Sequence, residues 1–324
     1  MTAMTPTRTY TGPVVDAHQH FWEPHRNRNP WLAPGVQIPF RYGDYTALKR
    51  SYLPPDYLAD ARGHDVVATV YVETEWDPAD PIGETRYVHA VAERHGFPHA
   101  VVAQAWLDRP DVEEVLAAQA AFPLVRSVRH KPERDVDPAQ LASGRTLMSD
   151  PRWRSGYALL ERFGLHFDLQ VSWRFLGEAA ALAAEFPRTL IVLNHTGLPA
   201  DRSPAGLAGW RAAMATFAAA PNTMVKISGL GQPGRPWTVE ANRSIVLDTI
   251  AMFGPARVMF ASNYPVDGLC GTFDEIYAGF TRIVAHLDES DQRAMFNDNA
   301  ARVYLGRSPT VSTPTTQGEA SHVR

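Results

Sequence analysis

The sequence predicts an α/β fold, a distorted (β/α)8 barrel of the TIM type, on three observations. Eight short apolar, β-branched runs alternate with helical runs between residues 13 and 306. Most of these runs are apolar throughout, which is typical of parallel strands covered on both faces. The chain has 324 residues, enough to bury a large core. Eight β-then-α units favour a closed barrel over a doubly wound sheet.

The eight strand candidates are short runs rich in Val, Ile and Leu that are bounded by polar residues, Gly or Pro. In chain order they are Pro13–Ala17, Val66–Val72, His99–Ala105, Val125–Val128, His166–Val171, Leu190–Leu193, Thr223–Ile227 and Val258–Ala261. Because catalytic groups in barrel enzymes lie at the carboxyl ends of strands, the residues that follow these runs are the first candidates for a site.

The helix candidates fall between these strands, and several stop at a residue that cannot continue a helix. Gly96, Gly164, Pro187, Pro221 and Gly254 each mark such an end. In chain order the candidates are Pro55–Gly63, Gly83–His95, Val112–Ala121, Pro151–Phe163, Phe175–Phe186, Ala205–Ala219, Glu240–Phe253, Thr272–Ala285 and Ser290–Tyr304.

Two connections after strands are long, residues 23–53 and residues 131–150. Loops of this length without regular structure are usually functional or disordered. The first connection and its approach are rich in aromatic side chains, which favours an ordered lid over the site. These aromatics are Trp22, Trp31, Phe40, Tyr42 and Tyr45.

Composition excludes several functional classes. The formal charge of −4 argues against binding to nucleic acid or to an anionic membrane surface. Cys270 is the single cysteine, so no disulfide can form within the chain. No apolar run approaches the roughly 20 residues of a membrane helix, and residues 1–12 lack the apolar core of a signal peptide. The expectation is a cytoplasmic protein, with residues 1–12 a flexible tail, residues 13–306 one barrel, and residues 307–324 a disordered tail.

Three histidines at strand ends carry the first functional signal. His18 and His20 end the first strand and are two residues apart, so both imidazoles point the same way. His195 follows the sixth strand, directly before Thr-Gly. A lone His-x-His is more often structural than functional. Histidines at the mouths of two buried strands instead favour a metal or catalytic site.

Other strands also end in polar residues. Those singled out as site candidates are Glu73, Arg129, His130, Gln170, Asn263 and Asp267. Arginine suits a bidentate clamp on a substrate carboxylate, so Arg129 with His130, and Arg41 with Tyr42 in the first long loop, are predicted to bind substrate. Trp22 is a candidate wall of the pocket, although tryptophans more often only pack.

Taken together, the motifs of this chain resemble the amidohydrolase superfamily in its amidohydrolase-related (type 2) branch. The resemblance is greatest to the group with sugar-acid lactonases and 2-pyrone-4,6-dicarboxylate lactonase, and it spans residues 13–306. The segments that carry it are VVDAHQHFW, VRH, FDLQ, LNHTGLP, KISGL, MFASNYPVD and NAARVYL. The resemblance implies hydrolysis of a carbonyl or ester-like bond, with His18, His20 and His195 in the positions of the family's metal-binding or catalytic histidines.

One departure from the family pattern affects the expected mechanism. The family places an Asp after the eighth strand, as general base and often as metal ligand, where this chain has Asn263. An amide has no basic oxygen in the useful pH range. Asp267, four residues on, is the candidate substitute, and the alternative is that it caps the turn or the following helix.

The resemblance implies at most one metal ion. No carboxylated lysine matches on the fourth strand, since Lys131 lies beyond its end, so a two-metal site is not expected. The expectation is one divalent metal, zinc, on His18, His20 and His195, or no metal, in which case the same imidazoles would donate hydrogen bonds to the oxyanion.

The function expected from these observations is hydrolysis of a small lactone of a sugar acid or dicarboxylate. Asp267, or failing that Glu73, would activate the water. Two alternatives stay open: a non-oxidative decarboxylase of the same branch, and a degenerate relative that only binds a small molecule. The expected partner is a small-molecule substrate, and a homo-oligomer is compatible with the sequence. The G-x-G-x-x-G at 229–234 is not read as a dinucleotide site, because Pro233 and Pro236 prevent a helix from following it.

Overall fold

The structure, a computed structural model, describes residues 9–134 and 136–306. Eight parallel strands form one sheet in chain order. They are β1 (Val14–Gln19), β2 (Val66–Val72), β3 (Ala100–Gln104), β4 (Val125–Arg129), β5 (His166–Leu169), β6 (Ile191–Leu193), β7 (Thr223–Ile227) and β8 (Val258–Phe260). The predicted (β/α)8 barrel is therefore confirmed.

Eleven α-helices of the described residues connect or follow the strands. They are α1 (Pro54–Asp60), α2 (Gly83–His95), α3 (Val112–Ala120), α4 (Pro138–Ala142), α5 (Pro151–Arg162), α6 (Leu176–Glu185), α7 (Pro204–Ala218), α8 (Val239–Phe253), α9 (Phe273–Val284), α10 (Glu289–Arg293) and α11 (Asn299–Tyr304). Within the described ranges, every helix is too short or too polar to cross a lipid bilayer. The predicted tail 307–324, and residues 1–8 of the predicted tail 1–12, lie outside the described residues.

The last predicted helix differs from the observed one. The sequence predicts a single helix over Ser290–Tyr304, whereas the chain forms α10, a π-helical segment (Ala294–Asp298) and then α11. The π-turn inserts a residue into the helical repeat, which the apolar periodicity does not register. The predicted loop 131–150 also contains the short helix α4.

A buried carboxylate closes the barrel between its first and last strands. Asp16 on β1 is fully buried, and it accepts hydrogen bonds from Ser262 N at 2.8 Å, Ser262 Oγ at 2.6 Å and Tyr57 Oη at 2.7 Å. Beside it, Asn263 N donates to His18 O at 2.8 Å. The residues after β8 are thereby held against the end of β1.

The first long connection packs as an aromatic layer over the barrel mouth. The Trp31 ring lies 5.9 Å from the Phe40 ring and 5.5 Å from the Trp22 ring, and Phe40 lies 4.8 Å from Tyr45. Trp22 Nε1 donates to the carbonyl of Leu48 at 3.0 Å. The loop over residues 23–53 is therefore fixed by its own side chains.

Glu84 on α2 should make the stability of the fold depend on pH. Its Oε1 accepts hydrogen bonds from Thr74 and Tyr71, while its Oε2 is buried without a partner. Burial, and then the charge of Glu73, raises the pKa of Glu84 from 4.5 to about 7. Between these pH values the folded state keeps a proton that the unfolded chain releases. The free energy of unfolding should therefore fall by up to about 3 kcal/mol as pH rises from 4.5 to 7.

In Glu84→Gln this fall should largely disappear, since an amide does not titrate and its oxygen can accept the same hydrogen bonds. Urea unfolding of both proteins at pH 5 and pH 8 measures the difference. An equal fall in the variant would show that another group is responsible.

Candidate active site

Three imidazoles meet at the carboxyl end of the barrel. The ring centroid of His18 lies 5.0 Å from that of His20 and 4.6 Å from that of His195, and all three side chains are buried. His18 and His20 come from the end of β1, and His195 from the turn after β6. Residues far apart in sequence thus form one cluster.

Hydrogen bonds orient two of these rings. His20 Nδ1 lies 2.7 Å from the carbonyl oxygen of Val72, and because a carbonyl only accepts, Nδ1 carries the proton. His195 Nδ1 lies 2.9 Å from Ser228 Oγ. Val72 ends β2, the neighbour of β1, and Ser228 follows β7, the neighbour of β6. The strand order of the barrel therefore sets the positions of both rings.

The backbone around the cluster is held in an uncommon conformation. Glu75, His195, Thr196, Leu198 and Asn263 all have positive φ values, between 50° and 60°. Left-handed backbone is unfavourable for residues with a side chain, and residues in such strained conformations cluster at active sites and ligand-binding turns. All five residues follow strands β2, β6 and β8, at one end of the barrel.

The electrostatic environment keeps the imidazoles neutral. Burial, followed by the charge of Arg129, lowers the pKa of His20 to about 3. Burial also lowers the pKa of His18, with a contribution from His195, and the pKa of His195, with contributions from Arg41 and Arg129. A neutral imidazole has one lone pair and one N–H. At neutral pH the three rings are therefore available as metal ligands or hydrogen-bond partners, and none acts as an imidazolium cation.

Asn263 and Asp267 form a hydrogen-bonded pair behind the cluster. Asn263 Nδ2 donates to Asp267 Oδ1 at 2.6 Å, and its Oδ1 lies 3.3 Å from His20 Nε2. Asp267 Oδ1 also accepts from Tyr42 Oη at 2.8 Å, and Asp267 Oδ2 accepts from the backbone N–H of Gly229 at 2.9 Å. Burial raises the pKa of Asp267, although Arg41 and these donors oppose the shift.

Asp267 does not cap the helix that follows it. Thr272 caps helix α9, and its Oγ1 accepts from Glu275 N at 3.2 Å. The Asp267 carboxylate instead accepts hydrogen bonds from Tyr42 in the first long loop, from Gly229 after β7 and from Asn263 after β8.

Arg129 lines the cavity, but its guanidinium is bound by protein acceptors. It forms a fully buried ion pair with Glu73 and donates to Gln170 Oε1 at 2.9 Å and to Glu73 O at 2.6 Å. Arg41 is freer: it is partly exposed, stacks on the Tyr42 ring at 4.5 Å, and lies 3.7 Å from Asp267. Of the predicted substrate clamps, Arg41 is therefore the one that keeps donors for a ligand.

A cavity of about 230 Å³ opens above the cluster. The predicted site residues that line it are His20, Trp22, Arg41, Glu73, Arg129, Gln170, His195 and Asn263. His18, Tyr42 and Asp267 contact these residues from behind. His130 is not brought to the cavity, because its Nδ1 accepts from Trp153 Nε1 at 3.0 Å and from Leu107 N at 3.1 Å.

Sequence reasoning gave no role to Ser228 or Asn194. Ser228 orients His195, and Asn194 Nδ2 donates to Asp168 at 2.9 Å beneath the cavity. Their only sequence signal is a polar residue at the end of an apolar strand, which they share with many others.

The residues present fit a single divalent cation. Within residues 9–134 and 136–306, no three His, Cys, Asp or Glu side chains form a ready-made metal-binding set. Both ring nitrogens of His18, however, are buried without a hydrogen-bond partner. His20 Nε2 and Asn263 Oδ1 also face each other as two acceptors. A cation shared by His18, His20, His195 and the Asn263 oxygen would satisfy these atoms, and imidazole nitrogen suits zinc.

The chain is similar to known proteins over nearly its whole length. A sequence model of the amidohydrolase family matches residues 15–305. An uncharacterized protein of Sinorhizobium fredii, y4mH, is 41% identical over 90% of this chain and 98% of its own length. An L-fucono-1,5-lactonase of Burkholderia multivorans is 28% identical over 90% of this chain and 95% of its own. A zinc-bound amidohydrolase crystal structure from Burkholderia multivorans has a TM-score of 0.76 and 26% identity, covering 91% of this chain and 99% of that one.

Proposed function

Because the chain belongs to the amidohydrolase family, whose model spans the whole barrel, we propose that it opens a small lactone of a sugar acid or dicarboxylate. The observation that carries the proposal is the cluster of three neutral imidazoles and the Asn263–Asp267 pair at the base of one cavity, which His20, His195 and Asn263 line. The lactonase relative of Burkholderia multivorans supports the reaction class.

A divalent cation, zinc as in the similar crystal structure, would be held by His18, His20, His195 and the Asn263 oxygen, and would supply Lewis acidity at the lactone carbonyl. The protein orients this site itself: Val72 and Ser228 fix the rings of His20 and His195.

Asp267 is the proposed general base. A carboxylate has about four acceptor positions, and three hydrogen bonds from Tyr42, Asn263 and Gly229 leave one on Oδ2. Asp267 takes a proton from water, the resulting hydroxide adds to the carbonyl carbon, and the ring C–O bond breaks. The proton then passes from Asp267 to the departing alkoxide, so the carboxylate is restored.

Arg41 and Lys131 are the proposed contacts for the substrate's hydroxyl or carboxylate groups. Both line the cavity, and both are partly exposed at its rim. Arg129 acts indirectly, because its bonds hold Glu73 and Gln170 in place. Trp22 forms part of the apolar wall.

A panel of aldono-1,4- and 1,5-lactones with 2-pyrone-4,6-dicarboxylate, read by acid release, tests the proposal. The expected result is hydrolysis of at least one of them, with metal content measured in parallel on protein purified without chelator. Acid release from none of the lactones, or carbon dioxide release from a phenolic carboxylate instead, would contradict it.

His195→Ala should lower kcat/KM for the best lactone by about 10²–10³, because it removes a ligand of the cation that would stabilise the oxyanion. The matched control is His286→Ala, at an exposed histidine after α9, which should leave the rate unchanged. Steady-state kinetics on both variants measures this. Wild-type activity in His195→Ala would exclude the residue from the reaction.

A further inference from the structure

A second cavity lies beside the catalytic one. Its volume is about 250 Å³, close to the 230 Å³ of the first. The two share Trp31, Ile38 and Glu75 as lining residues. A ligand that fills the first cavity therefore has a neighbouring compartment within reach, across a boundary made by these three side chains.

Three indoles line the second cavity. Trp31 comes from the first long loop, Trp76 follows β2, and Trp106 follows β3. Aromatic side chains bury large apolar areas at low conformational cost. Three of them around one small cavity are suited to a ring that offers a flat apolar face.

The boundary between the cavities is charged. The Glu75 carboxylate pairs with Lys131, which lines the first cavity, and with Arg134 at 3.0 Å, which lines the second. Although burial opposes it, these cations lower the pKa of Glu75 to about 2, so the carboxylate is ionised. The second cavity thus combines apolar walls with one strongly polar edge.

The rim of this cavity exposes apolar surface. Four large aliphatic side chains in the described part of the chain are exposed, and two of them, Val36 at 36% and Ile38 at 38%, line this cavity. Exposed apolar residues grouped around a concavity mark a binding surface more often than isolated ones do.

We propose that the second cavity binds a glycosyl ring attached to the lactone in the first cavity, so that the substrate is a disaccharide aldonolactone. This inference rests on the proposed lactonase function. A pyranose has the required amphipathic shape, with C–H groups on its faces for the indoles and hydroxyls on its edge for Glu75 and Arg134. An aryl ring would use the indoles but would offer no hydroxyl to the Glu75–Arg134 pair.

Equilibrium titration with acids that are already open tests the compartment independently of catalysis. Cellobionate should bind the wild-type protein at least tenfold more tightly than gluconate, by calorimetry. Val36→Phe, which fills the second cavity, and Trp106→Ala, which removes one indole, should each reduce that ratio about tenfold. Val67→Phe is the matched control, at an exposed valine on β2 outside both cavities, and should preserve the ratio.

Equal affinity for the two acids in the wild type, or a ratio unchanged by Val36→Phe, would overturn the inference. The phenyl group of 4-hydroxy-4-phenylbutanoate is compared with 4-hydroxybutanoate, and the glucosyl group of cellobionate with gluconate. A larger gain in affinity from the phenyl group than from the glucosyl group would overturn the assignment to a sugar. Because none of these acids can be hydrolysed as a lactone, these outcomes are separate from a failure of the lactone panel, which bears on the proposed function alone.

Discussion

Asp267→Asn is expected to lower kcat/KM for lactone hydrolysis by about 10²–10⁴, the usual contribution of a general base. The substitution preserves the size of the side chain and an oxygen that can accept from Tyr42 and Asn263, but it removes the atom that would receive the proton from water. Steady-state kinetics with the best lactone of the panel, on protein shown to be folded by circular dichroism, measures the loss.

The control for this experiment is Asp274→Asn. Asp274 lies in the first turn of α9, is largely exposed, and pairs with His64 at 3.0 Å outside the cavity. Its loss should leave the rate within about twofold, as for most surface substitutions. If Asp267→Asn retained wild-type activity, the base would have to be another carboxylate, and both Glu73 and Glu75 line the cavity.

The Asn263–Asp267 pair explains how this chain departs from its family pattern while keeping a carboxylate near the site. Asn263 occupies the position after β8 and turns its oxygen toward His20, while its amide nitrogen binds the Asp267 carboxylate. Tyr42 and Gly229 donate to the same carboxylate from the first long loop and from the end of β7. In the family pattern one Asp supplies both the oxygen beside the histidines and the base. Here Asn263 supplies the oxygen, and Asp267 is the proposed base.

The fold and the histidine cluster could be predicted because both depend on local pattern. Apolar runs of strand length identify the barrel, and His18, His20 and His195 end such runs, so their convergence follows from the parallel arrangement. The lid contact between Tyr42 and Asp267 joins residues 225 apart, and no periodicity reports it. His130 illustrates the opposite error: it follows β4 as predicted, yet its ring turns to Trp153 on α5 instead of the cavity.

The ion pair inside the barrel is a further feature that the sequence does not reveal. Lys226 on β7 and Asp168 on β5 are both fully buried, with Nζ and Oδ1 2.6 Å apart. Asp168 also accepts from Asn194 at 2.9 Å and from Tyr304 of α11 at 2.9 Å. Burial alone would raise the pKa of Asp168, but the Lys226 charge and the hydrogen bonds from Lys226 and Asn194 hold it below its ordinary value. The buried charge of Asp168 is therefore stabilised by the charge of Lys226 and by the hydrogen bonds around it.

Lys226→Met should lower the free energy of unfolding by about 3–5 kcal/mol, because it leaves the Asp168 carboxylate buried without its counter-charge. Guanidinium unfolding measures the change. The double variant Lys226→Met/Asp168→Leu removes both charges, and it should recover much of the loss, since a buried ion pair adds little over apolar side chains of similar volume. A single variant as stable as the wild type would mean that Asp168 takes up a proton at negligible cost. A double variant less stable than the single one would mean that the hydrogen bonds from Asn194 and Tyr304, rather than the charge pair, hold the barrel interior together.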